Sequence, residues 1–182
     1  MRIITGLFKG KRIAAPHNLP VRPTTDMAKE ALFNYLGGWL NFDEITAMDL
    51  FCGTGSISFE LLSRGTKRIV AVDKHPACIK FVQSFADGLI KGVLTGFTTD
   101  AFIALERSKE QFDLIFADPP YDFGRYEELA LKIVNSGRLT SQGMAIIEHP
   151  AEIKLTHLPL YHETRSYGKV NFSVFISTPS QL

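Results

Sequence analysis

Eight residues, Asp49-Leu50-Phe51-Cys52-Gly53-Thr54-Gly55-Ser56, constrain the fold more than any other stretch, because they compress a strand end, a glycine turn and a helix start into one junction. Upstream, Ile45, Ala47, Met48 and Leu50 form the short apolar run of a strand buried on both faces. Downstream, Ile57, Phe59, Leu61 and Leu62 begin a helix that stops at Gly65, a residue type favoured just past a helix end. Gly53 and Gly55 can take positive φ and let a ligand approach the backbone, and the first helical turn offers N–H groups that the helix itself leaves unpaired. The junction predicts a site for a polar ligand.

The next acidic residue narrows the choice of ligand. Arg68-Ile69-Val70-Ala71-Val72 predicts a second buried strand, and it ends in Asp73. In a doubly wound sheet, an acid at that strand end reaches the ribose hydroxyls of a nucleoside lying across the first glycine turn. The dinucleotide fingerprint requires glycine at position 58, where this chain has Ser58, and a P-loop requires a lysine after its glycines, which is missing. Asp49 disfavours a pyrophosphate and favours a ligand carrying positive charge. S-adenosylmethionine carries an amino group, a sulfonium and a ribose. Asp49, Phe51, Gly53 and Gly55, at alternate positions, resemble motif I of the class I S-adenosylmethionine-dependent methyltransferases. A tight strand–helix turn with no ligand is the plainer alternative.

A chain of 182 residues, 45% hydrophobic and 21% charged, has room for one full core. The expected organisation is one domain over 1–182, with a basic N-terminal hairpin extension at 1–24 and a cofactor-binding and catalytic core at 25–182. No apolar run approaches a membrane span, and the N-terminus lacks the apolar core of a signal peptide, so a cytoplasmic setting is expected. Cys52 and Cys78 fit no C-x-x-C pattern and read as small buried hydrophobes; the histidines show no ligand spacing. No metal is expected.

The net charge of +1 hides an uneven distribution. Residues 1–25 hold Arg2, Lys9, Lys11, Arg12 and Arg22 and no acid. Arg2-Ile3-Ile4-Thr5 and Lys11-Arg12-Ile13-Ala14 flank a turn region containing Gly6 and Gly10, the pattern of a basic β-hairpin. Such a hairpin is either a solvated face or, in a nucleic-acid methyltransferase, a phosphate-binding arm built on Lys9, Lys11, Arg12 and Arg22.

A helix follows, with Thr24 or Thr25 as cap, Asp26 in its first turn, and Met27, Ala28, Ala31, Leu32, Tyr35 and Leu36 at helical spacing until Gly37-Gly38. Beyond the central motif, Pro76 opens a helix carrying Ile79, Phe81, Val82 and Phe85. Val93–Phe97 predicts a third strand ending near Asp100, an acid placed either to reach an adenine amine or simply on the surface.

Residues 112–121 carry the second strong signal. Phe112 to Ala117 is a mostly apolar strand, and Asp118-Pro119-Pro120-Tyr121 closes it rigidly, since neither proline can donate to a sheet. Fourth in order, this strand should lie beside the first, across the topological switch point. An exocyclic nucleobase amine is a poor nucleophile because its lone pair is delocalised into the ring. Holding both N–H bonds, here on the Asp118 carboxylate and the Pro119 carbonyl, aims the lone pair at a methyl donor. Tyr121 offers a ring on which an extruded base can stack. The remainder predicts a helix over 125–136, a strand over Met144–Glu148, and a terminal hairpin of 161–167 and 170–177 joined near Gly168.

Taken together, Arg2-Ile3-Ile4, Gly10-Lys11-Arg12, Arg22-Pro23-Thr24, Lys29-Glu30-Ala31-Leu32-Phe33-Asn34, the 49–56 motif, Asp118-Pro119-Pro120-Tyr121 and Tyr167-Gly168 resemble the bacterial RsmD-type enzymes over nearly the whole chain. The resemblance implies an α/β Rossmann-like class I methyltransferase. Its sheet would have seven mostly parallel strands with one antiparallel, helices on both faces and an N-terminal β-hairpin extension. It implies methylation of guanine N2 in 16S ribosomal RNA, in an assembled or assembling 30S subunit, with S-adenosyl-L-methionine as cofactor. Asp49, Phe51, Gly53, Thr54, Gly55, Asp73, Asp100 and Asp118 would surround the cofactor, and Asp118, Pro119 and Tyr121 the reacting base. Two alternatives stay open. One is an adenine-N6 DNA methyltransferase, disfavoured because the chain leaves no room for a target-reading domain. The other is a non-catalytic RNA-binding or assembly protein on the same fold.

Overall fold

The computed structural model describes residues 1–14, 26–168 and 170–177. Its frame is a seven-stranded sheet in the order β3-β2-β1-β4-β5-β7-β6. The strands are β1 (Thr46–Asp49), β2 (Arg68–Asp73), β3 (Leu94–Thr98), β4 (Phe112–Ala117), β5 (Leu139–His149), β6 (Tyr161–Tyr167) and β7 (Val170–Ile176). β7 runs antiparallel to both β5 and β6, and every other pairing is parallel. The sheet is therefore the expected one, a single reversed strand set one place in from an edge. β1 lies between β2 and β4, which places the reversal of strand order at the end of the glycine motif.

Alternation along the strands divides the core in two. Ala47, Leu114, Phe116 and Ile146 face one layer, packed under α1 (Asp26–Leu36), α2 (Ser56–Ser63) and α3 (Pro76–Asp87). Met48, Ile115, Ala117 and Ile147 face the other, under α4 (Ala101–Arg107) and α5 (Tyr126–Asn135). Two short-range expectations need correction. Met27, which shares the helical spacing of the apolar residues of the first helix, is 69% exposed. Its neighbour Lys29 is wholly buried instead, with Nζ donating to the Arg2 carbonyl at 2.7 Å and lying 3.9 Å from the equally buried Glu60 carboxylate. The helix turns its lysine inward because the N-terminal segment and α2 supply acceptors there. β5 also begins earlier than its apolar run at Met144, at Leu139 beside Phe112, with a register shift between Phe112 and Leu114 accommodating the extra residues. The Thr24 or Thr25 cap lies outside the described residues.

The N-terminal segment adopts a narrow version of the expected hairpin. Arg2 and Arg12 form one antiparallel bridge, the Ile3 N–H donates to the Lys11 carbonyl, and the Ile13 N–H donates to the Met1 carbonyl. Ile3 and Ile13 are driven into the α1–α3 layer of the core. The arm is fastened to α2 by polar groups. Both oxygens of Glu60 accept backbone N–H groups, from Ile4 at 2.8 Å and Thr5 at 3.0 Å, and Ser63 Oγ accepts the Phe8 N–H while donating to the Thr5 carbonyl. Gly6, at φ +86°, is required here, because a Cβ would stand 1.9 Å from the Ser63 carbonyl oxygen.

Candidate active site

The site forms where β1, β2 and β4 end side by side. Asp49 closes β1 and pairs in register with Ala71 on one side and Phe116 on the other. From there the chain turns through Gly53 at φ +50° and Gly55 at φ +80°, both in the left-handed region where a side chain is strained. At Gly55 space excludes a side chain as well, since a Cβ would come within 2.7 Å of the Phe59 ring. The turn is stapled from β2: Asp73 Oδ2 accepts the Gly53 N–H at 2.9 Å, and Oδ1 accepts the His75 N–H at 2.9 Å. Asp73 thus sits beside the glycine turn, as its position at the second strand end predicts. Both its oxygens carry backbone bonds but keep further lone pairs.

Asp49 is 1% exposed and accepts a hydrogen bond from the Ser58 hydroxyl at 2.7 Å. Ser58, the residue that breaks the dinucleotide fingerprint, is therefore a partner for the motif's acid. Burial raises the Asp49 carboxyl to about 7, with Asp73 adding to the rise and the Ser58 hydrogen bond opposing it. Ser56 Oγ, at the first residue of α2, is buried with no hydrogen-bond partner among the described residues. Thr54 donates to the Met1 sulfur at 3.4 Å, which brings the start of the basic arm against the turn. Cys52 and Cys78 are buried free thiols, and burial pushes both up, Cys52 well above the ordinary range. These features fit a ligand such as S-adenosylmethionine. They combine close backbone approach, acceptors for ribose hydroxyls and an ammonium, and a buried hydroxyl awaiting a polar partner.

Across the switch point, Asp118 leaves β4 half-buried, followed by buried Pro119 and exposed Pro120. Tyr121 is 83% exposed, so its ring is open to a stacking partner. The loop then folds back, with the Phe123 N–H donating to the Pro120 carbonyl at 2.9 Å and the Tyr126 hydroxyl to the same carbonyl at 3.3 Å. Burial first, then the charge of Asp118, raises Tyr126 to about 12. Phe123 joins this loop to the glycine motif, standing edge-on to Phe51 at 5.5 Å and stacked on Phe102 of α4 at 6.3 Å. That aromatic bridge is absent from the sequence reading, because three rings from distant segments share no local pattern.

Asp100 is exposed at the end of β3 and caps α4, accepting the Phe102 N–H at 2.8 Å. Lys9, Lys11 and Arg12 are exposed on the arm, while Arg22 lies outside the described residues. A residue that sequence reasoning missed altogether is Glu148, at the end of β5 next to Asp118. Burial and then the Asp118 charge raise it to about 8. Among the described residues no group of three or more His, Cys, Asp or Glu is arranged to hold a metal, and no helix is long and apolar enough to cross a membrane.

The strand order, the glycine turn and the Asp118 loop define a class I methyltransferase. The sequence matches the family described as "Conserved hypothetical protein 95" over residues 1–176, and the chain belongs to that family, the RsmD-type ribosomal RNA methyltransferases. It is 34% identical to the "Putative rRNA methyltransferase YlbH" of Bacillus subtilis over 85% of either chain. It is 25% identical to "Ribosomal RNA small subunit methyltransferase D" of Escherichia coli, over 96% of this chain and 89% of that one. The solved structure titled "Putative methyltransferase yhhF from Escherichia coli" superposes with a TM-score of 0.82, at 24% identity and 97% coverage of each chain.

Proposed function

We propose that this protein is an S-adenosylmethionine-dependent methyltransferase that modifies the exocyclic N2 amine of a guanine in 16S ribosomal RNA. The observation that carries the reading is the placement of Asp118-Pro119-Pro120-Tyr121 at the end of β4, directly beside the glycine turn that ends β1. Asp49, Phe51, the Gly53-Thr54-Gly55 turn, Asp73 and Asp100 form the cofactor side, and Asp118, Pro119 and Tyr121 the base side. The cofactor, when bound, supplies a methyl group made electrophilic by its sulfonium.

The chain's own residues supply the geometry and the charge. Tyr121 stacks on the extruded base, an interaction worth about 1–3 kcal/mol. The Asp118 carboxylate and the Pro119 carbonyl accept the two amine N–H bonds, which turns the nitrogen lone pair towards the glycine turn. As the N–C bond forms, positive charge grows on nitrogen. Asp118 stabilises that charge and lies where the amine sheds its extra proton. No covalent enzyme intermediate is required. Lys9, Lys11 and Arg12 on the arm, with Arg22, hold RNA phosphates, and Glu60 fixes the arm's angle to the base site. A single domain carries both halves, the core at 25–182 and the arm at 1–24, and acts in the cytoplasm on an assembled or assembling 30S subunit. Ribosomal RNA from a strain lacking the gene, treated with enzyme and labelled cofactor and then digested to nucleosides, should yield labelled N2-methylguanosine from one site. Labelled N6-methyladenosine, or no label, would reject the guanine assignment.

A further inference from the structure

Glu148 stands beside Asp118 at the end of the central strands. The parallel register pairs Ala117 with Ile147, so Asp118, just past the end of β4, stands level with Glu148, the penultimate residue of β5. Strand alternation sends both towards the layer that holds the glycine turn and α2. On its other side Glu148 pairs in register with Phe172 of β7, which offers no polar side chain. Its Oε2 is buried with no hydrogen-bond partner among the described residues. His149 next to it is already committed, Nδ1 to the Pro150 carbonyl and Nε2 to Ser173 Oγ. A buried carboxyl oxygen left without a partner, beside the residue that holds the reacting amine, is matched to a group arriving with the substrate.

The chemistry of guanine supplies that group. Its Watson–Crick edge presents the N2 amine, then the N1–H donor, then the O6 acceptor. We propose that Glu148 reads this edge as a neutral carboxylic acid, accepting the N1–H with one oxygen and donating from the other to O6, while Asp118 holds N2. The role rests on the methyltransferase reading above and adds a residue that selects the base. Burial first, then the Asp118 charge beside it, raises Glu148 and favours its neutral, proton-donating form. Among the described residues Asp118 is the charge that acts on Glu148, and both carboxyl groups act in turn on Tyr126. An adenine whose amine sat at Asp118 would present only N1 and a C–H bond to Glu148, one hydrogen bond in place of two.

The test uses 16S RNA carrying either guanine or 2-aminopurine at the target position. The analogue keeps the N2 amine and lacks both N1–H and O6. The wild-type enzyme should prefer guanine by about 10- to 100-fold in kcat/KM. E148A should lose about that factor more on guanine than on 2-aminopurine, whose N1 accepts only one hydrogen bond from the wild-type Glu148, so that the ratio falls towards one. E148Q, whose amide offers the same acceptor and donor and fills the same space, should rescue most of the loss. Melting temperature and S-adenosylmethionine affinity verify folding, and E148Q keeps the comparison valid if E148A is unstable. An unchanged guanine to 2-aminopurine ratio in E148A, or an E148Q as impaired as E148A, overturns the role. A wild-type enzyme that fails to methylate guanine overturns the underlying function instead, and this role with it.

Discussion

Replacing Glu60 by alanine should unfasten the arm that carries the basic residues. Glu60 is wholly buried and holds four groups at once: the Ile4 and Thr5 amides, Arg64 at 3.2 Å and Lys29 at 3.9 Å. Removing one member of a buried ion pair leaves the other uncompensated, which costs about 3–5 kcal/mol. For a chain of this size each kcal/mol moves the melting temperature by about 2–4 °C, so a fall of roughly 6–20 °C is expected. Burial already holds Lys29 below the ordinary lysine range, and Glu60 opposes that depression. In the variant Lys29 sheds its charge at still lower pH in the folded state than in the unfolded one. The stability deficit should therefore shrink as pH rises. Calorimetric melting gives the magnitude, and hydrogen exchange at the Ile4 and Thr5 amides gives the location. RNA affinity should fall while cofactor affinity holds in the folded fraction. A melting temperature within about 2 °C of wild type, with both amides still protected, would refute the reasoning.

Asp73→Ala should weaken S-adenosylmethionine binding by roughly 10- to 100-fold, the loss of a charge-assisted ribose contact, and unchanged affinity by titration calorimetry in a folded variant would reject the assignment. Removing the charges of Lys9, Lys11, Arg12 and Arg22 together should flatten the salt dependence of RNA binding by about 0.7–0.9 log units per lost phosphate contact, with cofactor affinity unaltered. An unaltered slope would make the arm a solvated face. The folded state holds the Asp49 proton to about pH 7, whereas an unperturbed carboxyl loses it near 3.8, so cofactor-free stability should be full below the lower value and decline as pH rises through the higher one. Asp49→Asn should remove that decline, and urea titrations that show parallel pH profiles for variant and wild type would contradict it.

The cofactor half of the site was legible because its signals are local. Two glycines, an acid before them and an acid at the next strand end sit at fixed sequence spacing, and the structure puts them together. The reversed strand was legible from the terminal hairpin, whose turn Gly168 supplies, but an alternating polar face on Asn171 and Ser173 was not found, since both residues are buried. What stayed hidden depends on approach between distant segments. Lys29 reads as a surface lysine until Arg2 and Glu60 surround it. Helix α4 is only 7 residues long, and its one local signal was the Asp100 cap, to which the sequence reading gave other roles. Glu148 ends an apolar strand in the position of a solvent-facing residue, and becomes notable only when the register sets it beside Asp118.

The central claim is that Asp118 performs chemistry on a base while the glycine turn and Asp73 hold the cofactor independently. Single-turnover methyl transfer to small subunits by Asp118→Ala, run beside cofactor titration of the same preparation, tests it most directly. Loss of one charge-assisted contact in the transition state, about 3–4 kcal/mol, predicts a rate lowered by two to three orders of magnitude with cofactor affinity nearly unchanged. Methyl transfer at close to the wild-type rate would contradict the account.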